Sequence, residues 1–542
     1  MFNVRSSVSA IVIAAALSSV PLMADDSLEY YHLQNDPVVS PADQSREQFL
    51  FDHIANLSAR LSQKDLSKDE KVSLKSELKV AKLEYKSLSK ANKKALKQRR
   101  KSLAALQKKL EKEYGLGPYP YEIERFLADK PQALIPFYRS LYIEGERNAA
   151  LNFDRLGLAA MEVGLYDHAA WALDRSIDRI ESIYANNPEA KAAKSKFKAE
   201  KIKDFKGEPY ERAMAYYYRG LLYLREGDFE NARAVFRAGE YQDTVADEEE
   251  FQADFAVLNY LDGWSLHCQG RDAAESFQRA ADVNSQLLLP EDSHNTLFIA
   301  ELRAGPIKYG EGEYNEILKF KPDERYGETS ATYVITNRTG AQKSIPVVLA
   351  SDLYWQSSTR GGRPIDGILE GKAQFKKTTD TVGDVATTVG AATALAGIYS
   401  GDSDAALAGA GIMLIGGIFK GIANASKPDA DIRMWDTLPQ DILVGSEALH
   451  YMPDAKVETI YSGQNGMDIA NSASAIMIGG TPECGVVWSR SRSALSVPES
   501  SPGARYSWSQ IRKQKKTIQE KDVAFRGWLA NEAPSVIQKA GL

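Results

Sequence analysis

Apolar residues recur at helical spacing through the middle of the chain and at strand spacing after it. One stretch reads Phe153, Leu156, Gly157, Ala160, then Gly164, Tyr166, Ala169, Leu173. A second reads Tyr216, Gly220, Tyr223, then Gly227, Phe229, Ala232, Phe236. Each pattern predicts two helices joined by a glycine turn. The separation of Gly157 from Ala169 equals that of Gly220 from Ala232. A glycine on one helix and an alanine on the next let the axes approach closely, while larger residues nearby fill the flanks. A third, shortened unit reads Tyr260, Gly263, Trp264, Leu266, then Gly270, Ala273, Phe277, Ala280. Gly157 and Gly220 stand 63 positions apart, and Asn187–Lys206 between them is Lys- and Ala-rich with a helical pattern.

Upstream, residues 46–114 predict a helical hairpin. Leu57 and Leu61, Leu74 and Leu78, and Leu103, Leu106 and Leu110 mark its apolar stripe, and the polar run Ser62–Lys71 its turn. Pro118 and Pro120 break the chain before a helix at Tyr121–Ala128, and a longer pattern from Ile135 leads into the first unit. After Pro290, β-rich runs at Tyr314–Phe320, Ala331–Asn337, Ile345–Leu349, Ile442–Gly445, Val457–Tyr461, Ala475–Ile478 and Val486–Trp488 predict a small β domain. The expected fold is therefore α+β. It has a linker at 25–45, the hairpin at 46–114, a helical domain at 118–289 and a β-rich domain at 290–490. A polar tail at 491–542 carries a short helix at Trp508–Leu529 and is expected to be peripheral.

Inside the β domain, residues 382–424 form two apolar runs rich in Gly and Ala. Glycines at 383, 390 and 397 fall on one helix face, as do Gly417 and Gly421. Such spacing suits a tightly packed helical hairpin. The favoured reading is a hairpin buried against the β domain or another subunit. The alternative is a membrane-active or oligomer-forming element.

Charge changes the picture at both ends. The whole chain carries −6, which gives no case for nucleic acid. Arg60–Glu113 holds 18 Lys or Arg against 7 Asp or Glu. A solvated helix face is the favoured reading, and contact with anionic polymer or membrane headgroups the alternative. Residues 1–24 look like a secretory leader: Arg5, an apolar run from Val8 to Leu17, then Ser18, Ser19, Pro21 and Ala24. Export is the expectation. Cys268 and Cys484 lie in different expected domains, so two buried free thiols is the favoured reading, although export would permit pairing.

No spacing in the chain points to catalysis. The six histidines, His32, His53, His168, His267, His294 and His450, lack metal-ligand spacing, so neither metal nor cofactor is expected. Gly367–Ala373 imitates a phosphate loop but has Ala373 where Ser or Thr should hold magnesium. The helical units resemble the tetratricopeptide family. The wider pattern resembles an uncharacterised family of repeat-containing bacterial envelope proteins. That likeness is carried by Asp204–Arg212, Tyr217–Leu224 and the block Lys427–Arg433 with Trp435, Leu438 and Pro439. The resemblance implies an exported, non-enzymatic scaffold in the periplasm or at the outer membrane, binding a protein or peptide. In the groove expected on the first helix of each unit, Tyr216, Tyr217 and Asn259 are the candidate contacts. Alternation in Asp431, Arg433 and Trp435 suggests a strand whose charges pair with neighbouring strands.

Overall fold

The computed structural model describes residues 24–114, 117–184, 204–243, 255–312, 317–358, 430–449, 456–463, 468–470, 475–495 and 508–535. The leader, most of the Lys-rich insertion, the phosphate-loop lookalike and the hairpin 382–424 lie outside them. The chain divides into two compact units, Met1–Ala128 and Asp129–Leu542.

In the first unit, helix α1 (Ala24–Asn35) occupies part of the stretch expected to be a linker. Helices α2 (Pro41–Leu61) and α3 (Lys68–Tyr114) form the expected hairpin, and α4 (Pro120–Leu127) closes the unit. The turn between α2 and α3 ends in a reciprocal cap. Ser67 N–H donates to Glu70 Oε2 at 2.9 Å, and Glu70 N–H to Ser67 Oγ at 3.2 Å. Leu50 and Leu57 of α2 meet Leu74 and Ala81 of α3, each pair seven residues apart, which is coiled-coil packing.

In the second unit, α5 (Ile135–Glu144) is separated from α6 (Ala149–Glu162) at Gly145, whose φ of 73° no other residue type adopts easily. Three helix pairs follow: α6 with α7 (Tyr166–Tyr184), α8 (Pro209–Glu226) with α9 (Phe229–Asp243), and α10 (Ala256–Cys268) with α11 (Ala274–Val283). The helices do approach closely at these glycines, with a large side chain rather than the alanine over each. Phe236 of α9 lies over Gly220, and Leu173 of α7 over Gly157, where a Cβ would come within 2.7 Å of it.

Eleven strands lie among the described residues: β1 (Thr296–Leu302), β2 (Ile307–Glu311), β3 (Ile317–Lys321), β4 (Glu328–Thr336), β5 (Gln342–Pro346), β6 (Val348–Asp352), β7 (Asp441–Glu447), β8 (Lys456–Gly463), β9 (Asp468–Ala470), β10 (Ala475–Thr481) and β11 (Cys484–Arg490). One sheet runs β10-β11-β1-β7-β6, with β1 and β11 parallel; a second runs β5-β4-β8-β9; β2 and β3 pair alone. Phe298, Ala300 and Leu302 of β1 pack on Ala331, Tyr333 and Ile335 of β4, so the two larger sheets share a core. Helix α12 (Leu353–Ser358) follows β6, and α13 (Trp508–Glu532) ends the described chain. The α+β expectation holds. Among the described residues no helix is long and apolar enough to cross a membrane.

Three expectations need correction. Cys268 and Cys484 are disulfide-bonded, with Cα atoms 5.6 Å apart, because the β10–β11 hairpin folds back onto the helix pairs. Residues Asp431, Arg433 and Trp435 form no strand. The tail helix is not peripheral: Phe525 and Leu529 are buried, and Trp528 stacks on Trp171 with ring centroids 6.3 Å apart.

Candidate functional site

The first helices of the three pairs were expected to line an open groove. They are instead buried almost all round, along 149–161 in α6, 210–222 in α8 and 256–266 in α10. A helix buried on every side is a core helix. The covering element is the chain's own β domain. Along β1, Phe298, Ala300 and Leu302 face the second sheet, while Glu301 and its neighbours on the other face meet the helices.

The sharpest contact is at Glu301. Its Oε2 accepts from Tyr218 Oη of α8 at 3.0 Å, and its Oε1 from Trp488 Nε1 of β11 at 2.8 Å. Arg490, its cross-strand partner in β11, approaches at 3.3 Å. Burial raises the Glu301 carboxyl above its ordinary range, and Arg490 with these donors works against that rise.

A second knot joins segments far apart in sequence. Lys308 Nζ of β2 lies 2.5 Å from Glu211 Oε2 of α8, both side chains being buried, and donates to the Arg433 carbonyl at 2.9 Å. Trp435 N–H donates to Glu211 Oε1 at 2.8 Å. Arg433 pairs with Asp431 at 2.5 Å, donates to Asn148 Oδ1 at 2.7 Å and lies 5.4 Å from the Phe205 ring centre. Burial pushes the Asp431 carboxyl up, but Arg433 outweighs it and holds the group below its usual range. Asp431 and Arg433 thus pair with each other and not with neighbouring strands. Arg155 of α6 adds a further tie, with Nε 2.9 Å from Asp436 Oδ1. The segments Asp204–Arg212 and Asp431–Pro439, read separately as motifs, meet here and fasten the β domain to the helices.

The three candidate groove residues serve the same packing. Tyr216 is 3% exposed and donates to Glu181 of α7 at 3.1 Å. Tyr217 is fully buried, and burial together with the Glu301 charge keeps its hydroxyl protonated. Asn259 is fully buried and accepts from Arg279 Nε at 3.1 Å. They sit on three different seams and form no common binding surface. The sequence reading missed Glu211, Glu301 and Lys308. A charged residue inside an otherwise apolar strand, as at Glu301 in Thr296–Leu302, was the available signal. Among the described residues, no three His, Cys, Asp or Glu side chains come together to hold a metal. The chain matches no protein-family model, and comparison with curated proteins and with solved structures likewise gives no match.

Proposed function

We propose that the chain is an exported, non-enzymatic scaffold of the bacterial cell envelope, built on tetratricopeptide-like helix pairs and binding a protein or peptide partner in the periplasm or at the outer membrane. The observation that carries this reading is the Cys268–Cys484 disulfide. Disulfides of this kind persist in oxidising compartments and are rare in reducing ones. The leader-like pattern of residues 1–24 supports the same location. The inner helices already hold the β domain, so the reading assigns partner binding to the outer helices, where Tyr241 of α9 is 68% exposed.

Two measurements test this. Mass spectrometry of the native protein under non-reducing conditions is expected to find the 268–484 crosslinked peptide and an N-terminus near Asp25. Reduced cysteines on a chain that keeps residues 1–24 would overturn export. A photo-crosslinking residue at position 241 is expected to give partner adducts in living cells, and one at 217 none. Adducts from neither position would overturn the outer-helix assignment.

A further inference from the structure

We infer that α3 is a docking surface for a bilayer rich in anionic lipid headgroups. The inference goes beyond the partner-binding reading and does not rest on it.

Between residues 71 and 110, α3 carries 14 Lys or Arg and only two acids, Glu77 and Glu84. Both acids turn toward α2: Glu84 meets Arg46 at 2.7 Å, and Glu77 meets His53 at 3.2 Å. The opposite face is left wholly cationic. Lys75, Lys79, Lys82, Lys86, Lys93 and Lys97 fall within an arc of about 60° and run for about 33 Å along the helix. None of the six pairs with a carboxylate among the described residues, and all six are exposed. Like charges three and four positions apart destabilise a helix. A helix that repeats them for six turns is suited to an anionic counterpart.

Apolar groups set among the lysines decide between anionic surfaces. Lys75, Lys79, Lys82 and Lys86 line a shallow depression together with Leu78 and Leu83. Leu83 is 61% exposed and Val72, on the same face, 67%. Phe51 of α2, also exposed, brings its ring 6.2 Å from Tyr85, one heptad beyond Leu78. A soluble polyanion has no use for these side chains. A bilayer surface takes both kinds: lysine stems lie along the interface with their ammonium groups at the headgroups, and Leu83 and Val72 enter the acyl boundary. A second copy of the same face would be repelled by its charge.

The test is vesicle flotation of the full mature chain, with phosphatidylglycerol-containing and pure phosphatidylcholine vesicles, and heparin affinity in parallel. The expected result is binding to the anionic vesicles only, weakening as salt rises. The combined change Lys75→Gln, Lys79→Gln, Lys82→Gln and Lys86→Gln should weaken it on the order of a thousandfold. Circular dichroism should show the helix intact, since Gln is a good helix former. A control removing four exposed charges of the β domain, at Lys319, Lys321, Lys343 and Lys456, should bind as the parent does. Leu83→Ser with Val72→Ser should weaken vesicle binding and leave heparin retention unchanged. Failure to float, equal binding to phosphatidylcholine, or an equal loss in the control would overturn the inference. So would heparin binding without vesicle binding, which would point to a soluble polyanion.

Discussion

The hydroxyl of Tyr218, on a helix in the middle of the sequence, donates at 3.0 Å to the carboxylate of Glu301, on the central strand of the β domain. Arg490, buried beside it at 3.3 Å, joins the pair to a network across the helix–sheet seam. Removing the carboxylate takes from a buried guanidinium the charge that stands 3.3 Å from it. Glu301→Gln is therefore expected to lower the unfolding free energy by about 3–5 kcal/mol. Tyr218→Phe removes one hydrogen bond to a charge and should cost about 1.5–3 kcal/mol. In urea denaturation the double variant should fall well short of the sum, because the two groups share a network. Strict additivity would show that they act independently.

The disulfide closes the same seam at its far end. It joins the last residue of α10 to the first of β11 across 216 positions. A link over so long a loop restricts the unfolded chain strongly, and its loss is expected to cost about 2–5 kcal/mol. Cys268→Ser with Cys484→Ser should lower the melting temperature as far as dithiothreitol lowers that of the parent. The variant itself should not respond to the reductant. A parent that melts identically with and without reductant would show that the bridge adds nothing to the packed seam.

Why the seam was hidden in the sequence is a matter of period. The helix pairs were legible because Gly157 and Gly220 recur with their partners at fixed offsets, a purely local signal. β1 was not found: both its faces are buried, and its apolar run Leu297–Ala300 lacks strand alternation, although β7, equally buried, was marked by its β-rich run Ile442–Gly445. β4, which alternates between buried and half-buried positions over its second half, was found. Tyr216, Tyr217 and Asn259 were correctly placed on first helices, but nothing local reveals that a β domain some 40 to 270 residues downstream covers those helices. The Glu211–Lys308–Arg433 knot brings together three segments in the same way, and only the fold makes them neighbours.

Asp441 gives a pH signature. It lies at the start of β7, with Arg303 Nε 2.7 Å from its Oδ2. Burial pushes its carboxyl up to about 6, aided by the charges of Asp352 and Glu328, while the Arg303 ion pair opposes the rise. The group therefore holds its proton more firmly folded than unfolded. Between about pH 4 and 6 the folded state binds more protons, so this site makes stability fall as pH rises through that window and level off above it. The swing is roughly 3 kcal/mol at most. Asp441→Asn cannot titrate, so the difference in unfolding free energy between parent and variant should change across pH 4–6 and be flat from pH 7 to 8. A difference constant over the whole range would place the Asp441 carboxyl at its ordinary value.

The last helix separates a peripheral tail from a structural one. Arg179 of α7 stands 4.8 Å from the ring centre of Phe153 and 5.2 Å from those of both Phe525 and Trp528, so α13 completes an aromatic enclosure around one guanidinium. Arg179 also bonds Glu146 at 3.1 Å, which ties the enclosure to the turn ahead of α6. Leu529, fully buried in α13, follows Trp528, whose ring packs on Phe153 and Trp171 of the first helix pair. Leu529→Ala is expected to cost about 2–5 kcal/mol, the range for a buried leucine that leaves a cavity. A substitution on an exposed helix face would change stability by no more than about 0.5 kcal/mol. A value that small in urea denaturation would return the tail to the peripheral role its polar composition suggests. A large one would make α13 the cap that closes the open end of the helix pairs.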